Sequence, residues 1–97
     1  MRLNDFQLEA IKNSFIKIFK NGQIYLFGSR VDDTKKGGDI DLYLIVEDKT
    51  TLSMKRIQFL VNLKKIMGEQ KIDVVFQKDP TRAIEQEAIK NGILIFK

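Results

Sequence analysis

Residues 24–46 read IYLFGSRVDDTKKGGDIDLYLIV, and the fold turns on this stretch. It opens as an apolar run, breaks at Gly28-Ser29, crosses a polar loop that ends in glycine, and re-enters an apolar run through Asp39-Ile40-Asp41. The hairpin-like link between the two runs predicts an antiparallel strand pair. The first strand, over 23–27, is apolar on both faces, which predicts a central place in the sheet. The second runs over 39–46. Side chains alternate along it, so Asp39, Asp41, Tyr43 and Ile45 share one face while Ile40, Leu42, Leu44 and Val46 line the other. The Cα atoms of Asp39 and Asp41 then lie roughly 6.5 Å apart. Two carboxylates at that spacing can share hard divalent cations such as Mg²⁺, which prefer oxygen ligands. Gly28 and Ser29, at the end of the preceding strand, can present backbone N–H groups and a hydroxyl to phosphate. A phosphate holder beside a metal holder points to nucleotide chemistry.

The remaining segments follow from periodicity. Asn4 and Gln7 have capping-box spacing, which predicts a helix starting near Asp5 and ending at Asn21-Gly22. Leu8, Ile11, Phe15, Ile18 and Phe19 fall at helical spacing along its inner side. A turn over 47–50 leads into a helix over 51–67, with Ile57, Leu60, Val61, Leu63 or Lys64, and Met67 expected to face inward. Residues 71–76, KIDVVF, read as a third strand. Asp79 as N-cap and Pro80 at the first helical position predict a last helix, with Ala83, Ile84, Ala88 and Ile89 inward. Residues 93–96 read as a fourth strand. The order helix, strand, strand, helix, strand, helix, strand predicts an α/β (α+β) fold. Its expected form is a small mixed sheet of about four strands with helices mainly on one face.

The 97 residues suit a single domain over 1–97 with one modest core. There is no Cys and no His, which removes disulfides, thiol nucleophiles, zinc fingers and Ser-His triads. Any catalysis must then use carboxylates, hydroxyls, Lys, Arg or a bound metal. No apolar run approaches a membrane span, and no secretory pattern opens the chain, so no membrane partner and a cytoplasmic location are expected. The net charge is +4, but the lysines are scattered rather than interleaved with aromatics, and most read as solvated helix faces. Nucleic acid is therefore not the expected partner. Lys35-Lys36 lies beside the phosphate turn and would raise the local nucleotide concentration.

Asp73 adds the decisive residue. It is a carboxylate in an otherwise apolar strand, where charge is costly unless paired or metal-bound. Lys71 or Arg30 could neutralise it. Three carboxylates on short central strands beside Gly-Ser are better explained by a shared cation pair.

GSRVDDTKKGGDIDLYL followed by KIDVVF resembles the nucleotidyltransferase superfamily that includes DNA polymerase β. More closely it resembles the minimal nucleotidyltransferase (MNT) domains, usually partners of HEPN proteins in prokaryotic toxin–antitoxin pairs. The shared pattern is Gly-Ser, a loop of about ten residues, Asp-x-Asp, and a later Asp on a strand. The loop here, from Arg30 to Gly38, is one residue shorter than the commonest form, and Gly38 stands where the family often has Ser. The resemblance implies a polymerase β-like nucleotidyltransferase fold. It implies that Gly28 and Ser29 hold the nucleotide phosphates, and that Asp39 and Asp41 bind two Mg²⁺. Asp73 would ligate the catalytic metal and help deprotonate the incoming hydroxyl. Arg30 would contact phosphate or pair with a carboxylate. The implied activity is transfer of AMP from ATP to a hydroxyl, a tyrosine of a partner HEPN toxin. The chain would thus be the antitoxin of a type VII-like pair, as a hetero-oligomer with the toxin or a homo-oligomer. Two other readings stay open: a catalytically silent antitoxin that acts by binding alone, and a nucleic-acid-binding regulator.

Overall fold

A computed structural model of the chain describes residues 1–32, 34 and 38–97. The expected Lys35-Lys36 contribution lies outside the described residues. Among those described, the order is α1 (Asp5–Phe19), β1 (Gly22–Phe27), a 3₁₀ turn (Gly28–Val31), β2 (Ile40–Val46), α2 (Leu52–Met67), β3 (Ile72–Phe76), α3 (Ala83–Asn91) and β4 (Ile93–Phe96). This is the expected small α+β fold with a four-stranded mixed sheet. The strand order is β3-β2-β1-β4. β1 pairs antiparallel with β2 and with β4, and β2 pairs parallel with β3. The parallel pair is possible because α2 carries the chain back across the sheet, as parallel neighbours require.

Strand parity places the core as expected. Ile24, Leu26, Ile40, Leu42, Leu44, Val46 and Val74 face α1 and α2 and form the main core with Ile11, Phe15, Phe19, Phe59 and Leu63. Rings organise this layer: Phe15 stacks on Phe19 at 5.2 Å and meets Phe59 and Phe96 edge-on at 6.5 and 5.6 Å. Such pairs add about 0.5–1.5 kcal/mol each beyond the area they bury. The capping box forms: the Asn4 side chain accepts from the Gln7 N–H at 2.8 Å, and Gln7 Oε1 accepts from the Asn4 N–H at 3.1 Å. Asn62 of α2 donates to the buried Ser14 hydroxyl of α1 at 2.7 Å and ties the two helices together.

Three helix expectations need correction. The inner face of α2 is set by Leu63, as expected, and by Phe59, which was not, while Ile57 and Val61 are exposed. Apolar residues occur at almost every angle around this helix, so periodicity alone fixes its phase poorly. Pro80 does not start α3. Asp79 instead accepts from the Thr81 N–H and hydroxyl at 3.0 and 2.7 Å, a local turn that competes with helix, and α3 begins at Ala83. Finally, α3 lies on the opposite sheet face from α1 and α2, with Ala88 against Phe27 and Tyr43. Ile84 and Ile89 are exposed, and the buried positions are Glu85 and Ala88.

Glu85 is fully buried because its carboxylate is fully partnered. It accepts from the Tyr43 hydroxyl at 2.7 Å, from the N–H groups of Lys78 and Asp79, and from Arg82 Nε at 2.7 Å. Burial pushes the carboxyl up, but these donors outweigh it and hold it at about 2, below the ordinary 4.5. Burial, with the Glu85 bond, pushes the Tyr43 phenol up in turn. No helix among the described residues is long and apolar enough to cross a membrane.

A depressed carboxyl stabilises the fold above its unfolded value and loses that contribution as pH falls through the folded one. Between pH 4.5 and about 2, wild-type stability should fall through Glu85. Glu85→Gln removes the charge that its donors face, and a hydrogen bond to a charged group is worth about 1.5–3 kcal/mol. We expect it to melt several degrees lower at neutral pH and to lack this share of the acid limb, as read by urea titrations across that pH range.

Candidate active site

The Gly28 turn, β2 and β3 bring the sequence's carboxylates to one sheet face. Asp41 lies directly beside Asp73 in the parallel ladder, and Phe27 lies beside Asp41 on the antiparallel side. Residues opposite one another on adjacent strands share a face. Asp41, Asp73, Tyr43 and Val75 therefore project together. α3 covers the Phe27–Tyr43 end, and the two aspartates remain half-buried.

Asp41 carries the strain of this arrangement. Burial first, then the charges of Asp73 and Asp39, then a hydrogen bond with Asp73 push its carboxyl above the ordinary value, against a smaller pull from Lys71. Like charges in one site disfavour joint ionisation unless a proton or a cation sits between them. Asp39, just ahead of β2, is not drawn into the pair. Its Oδ2 meets Lys71 Nζ at 3.4 Å, with both side chains largely exposed. Lys71, one of the expected neutralisers of Asp73, thus engages Asp39. Among the described residues, no three acidic side chains are gathered as a finished metal cage.

The turn is shaped by what glycine lacks. Gly28 has φ +78°, and a Cβ there would collide with Oδ2 of Asp41. The backbone thus approaches the carboxylate as only glycine permits. Gly38 has φ +91°, and a Cβ would collide with the Ser29 hydroxyl oxygen. The positive φ and this close approach favour glycine at the position.

Two arginines brace the turn. Arg2 donates from Nε to the Asp32 carbonyl and from Nη2 to the Ser29 carbonyl, both at 3.0 Å, and its N–H reaches the Arg30 carbonyl at 2.7 Å. Arg30 donates in return to the carbonyls of Arg2 (2.8 Å) and Gly38 (3.3 and 3.4 Å). Arg30 was expected to contact phosphate or a carboxylate; here it holds backbone carbonyls. Arg2 was not anticipated. Its acceptors lie 27 and 30 residues along the chain, and no local pattern signals them.

The donor set suits a hard divalent ion. It consists of carboxylate oxygens, two of them adjacent and short of neutralising charge, with the Gly28 backbone approaching Asp41 closely. Asp39 could join it cheaply, since an exposed pair such as Asp39–Lys71 is worth no more than about 1 kcal/mol.

Fold and site define a small α+β domain that sets a glycine-opened turn against a carboxylate pair on adjoining strands. The family model described as "Polymerase beta, Nucleotidyltransferase" matches residues 9–97. The chain belongs to this family, and its class of chemistry is nucleotidyl transfer. Arg2 lies outside the matched span. Comparison with curated proteins found no match.

Two outcomes follow from this geometry. A raised carboxyl favours the native state at low pH, and the advantage fades as pH rises through the unfolded and then the folded value. At neutral pH the ionised Asp41 is therefore a net cost. Asp41→Asn should melt higher than wild type in chelator at pH 7, by about 2–4 °C once solvent screening is allowed for, and the difference should shrink as pH falls toward 4. Thermal melts across pH measure it; a lower melting temperature at pH 7 would contradict the pairing. Gly28→Ala must adopt a strained positive φ against Asp41 and should lose about 1–3 kcal/mol in urea titrations.

Proposed function

We propose that the protein transfers AMP from ATP to a hydroxyl, a tyrosine, on a HEPN-family toxin, and so acts as the antitoxin of a type VII-like pair. The observation that supports this reading best is the Asp41–Asp73 pair held beside Gly28, two like charges brought together on one sheet face. Asp39, Asp41 and Asp73 would hold two Mg²⁺, with Asp39 exchanging Lys71 for a cation. When bound, the ions neutralise charge on the phosphates in an in-line displacement at the α-phosphorus. Gly28 and Ser29 would seat the phosphates through backbone N–H groups and the Ser29 hydroxyl. Arg30 and Arg2 keep that turn in shape, and Arg30 would contact phosphate through guanidinium N–H groups that its carbonyl bonds do not use. Asp73 would take the proton of the acceptor hydroxyl as the bond from its oxygen to the α-phosphorus forms and pyrophosphate leaves. Beyond charge neutralisation and alignment, nucleotidyl transfer asks little of the protein.

The test is incubation of the chain with ATP, Mg²⁺ and a HEPN-family protein, read by intact mass. AMP units should add to the HEPN protein, and Asp41→Ala should abolish the addition while keeping its circular dichroism spectrum. Ser29→Ala should be milder, because backbone N–H groups remain and one hydrogen bond to a charged group is worth about 1.5–3 kcal/mol. An unmodified partner that is nonetheless neutralised by binding would replace this reading with the silent antitoxin.

A further inference from the structure

A groove of about 620 Å³ lies against the second half of β3 and the loop that follows it. Its lining includes aliphatic Leu52, Val74 and Val75 and the cations Lys49, Arg56, Lys78 and Arg82, and no carboxylate lines it. These four cations come from the loop before α2, from α2, from the loop after β3 and from the start of α3. Arg82 is partly committed, to Glu85 through Nε and to the Phe76 carbonyl through Nη2 at 3.2 Å. The other three side chains make no ion pair among the described residues. Like charges gathered around one groove repel unless something anionic is present.

The groove runs along an open sheet edge. β3 ends the strand order, so its outer side has no strand neighbour among the described residues. The Lys71 carbonyl and the Gln77 N–H bond to β2. In a parallel ladder this directs the backbone of 71, 73, 75 and 77 inward and that of 72, 74 and 76 to the open edge. An edge of this kind accepts an extended peptide as an added strand. Single-stranded nucleic acid would want exposed aromatic platforms. The one aromatic lining the groove, Phe76, packs against Phe19 at 5.7 Å instead.

From this we infer that the β3 edge groove docks an acidic, extended segment of a partner protein, its backbone paired to Val74 and Phe76 and its carboxylates facing Arg56, Lys78 and Lys49. Asp73 precedes Val75 by two positions on the same face, so a segment seated there runs toward the carboxylates. The inference rests on the reading above only in making that partner the acceptor of transfer.

The experiment uses the full chain and a fluorescein-labelled peptide alternating glutamate and valine, with oligouridylate of equal length as the competing probe. Anisotropy should show peptide binding in wild type, at least about tenfold weaker in Arg56→Glu and in Lys78→Glu. Hydrogen exchange should slow at the Val74 and Phe76 amides when the peptide is present. Equal peptide affinity in wild type and both variants, absence of peptide binding, or binding of oligouridylate in its place overturns the proposal. The readout is independent of transfer. Peptide binding with no AMP addition would remove the proposed activity and leave the groove assignment standing; AMP addition with no peptide binding would do the reverse.

Discussion

Two carboxylates on neighbouring strands are held side by side against their own repulsion. Asp41 and Asp73 are opposite each other in the β2–β3 ladder, and neither strand can turn its aspartate away without moving the apolar residues behind it. Leu42 and Val74, the next residues on the two strands, are buried against α1 and α2. Core packing thus fixes the position of the charges. The energy that keeps Asp41 beside Asp73 comes from the opposite face of the same sheet, which is how a domain of this size can maintain an electrostatically unfavourable site.

Charge elsewhere in the molecule is handled differently. Glu85 is buried, but every oxygen is met by a donor, so it anchors α3 to β2 and to the Lys78–Arg82 segment. Arg2 and Arg30 place their guanidinium groups on backbone carbonyls rather than on acids. Carbonyls of the 3₁₀ turn thereby find partners, as tight turns need. Asp41 and Asp73 are thus unlike the buried Glu85: they face each other across the ladder, and among the described residues no arginine bonds to either.

The sheet was legible in the sequence because strand parity is strict. Asp41, Tyr43 and Asp73 on one face, and Leu42, Leu44 and Val74 on the other, follow from counting by two. The Gly-Ser break was legible as the end of β1, and Asp-Ile-Asp as the entry to β2. Helix phase was less so. In α2 the apolar residues surround the axis, and the position of the Phe15–Phe19 rings selects Phe59 over Ile57 and Val61. Asp79-Pro80 has the form of a helix start, but the Asp79 side chain closes a turn with Thr81 first. The burial of Glu85 depends on a tyrosine 42 residues earlier, and the Arg2 brace on carbonyls in the turn; long-range pairs of this kind leave no periodic trace.

The register between β2 and β3 also governs how this chain can change over evolutionary time. The two strands are joined through α2, and the connection contributes its length to neither ladder. Insertions or deletions between Glu47 and Lys71 can be absorbed at the loops without altering which residues face each other. A single-residue insertion inside either strand is another matter. It moves one aspartate to the opposite face of the sheet, into the aliphatic layer, and breaks the alignment at once. Length variation among descendants of this sequence should therefore concentrate in the crossover, while the few residues from Ile40 to Leu42 and from Ile72 to Val74 keep their spacing.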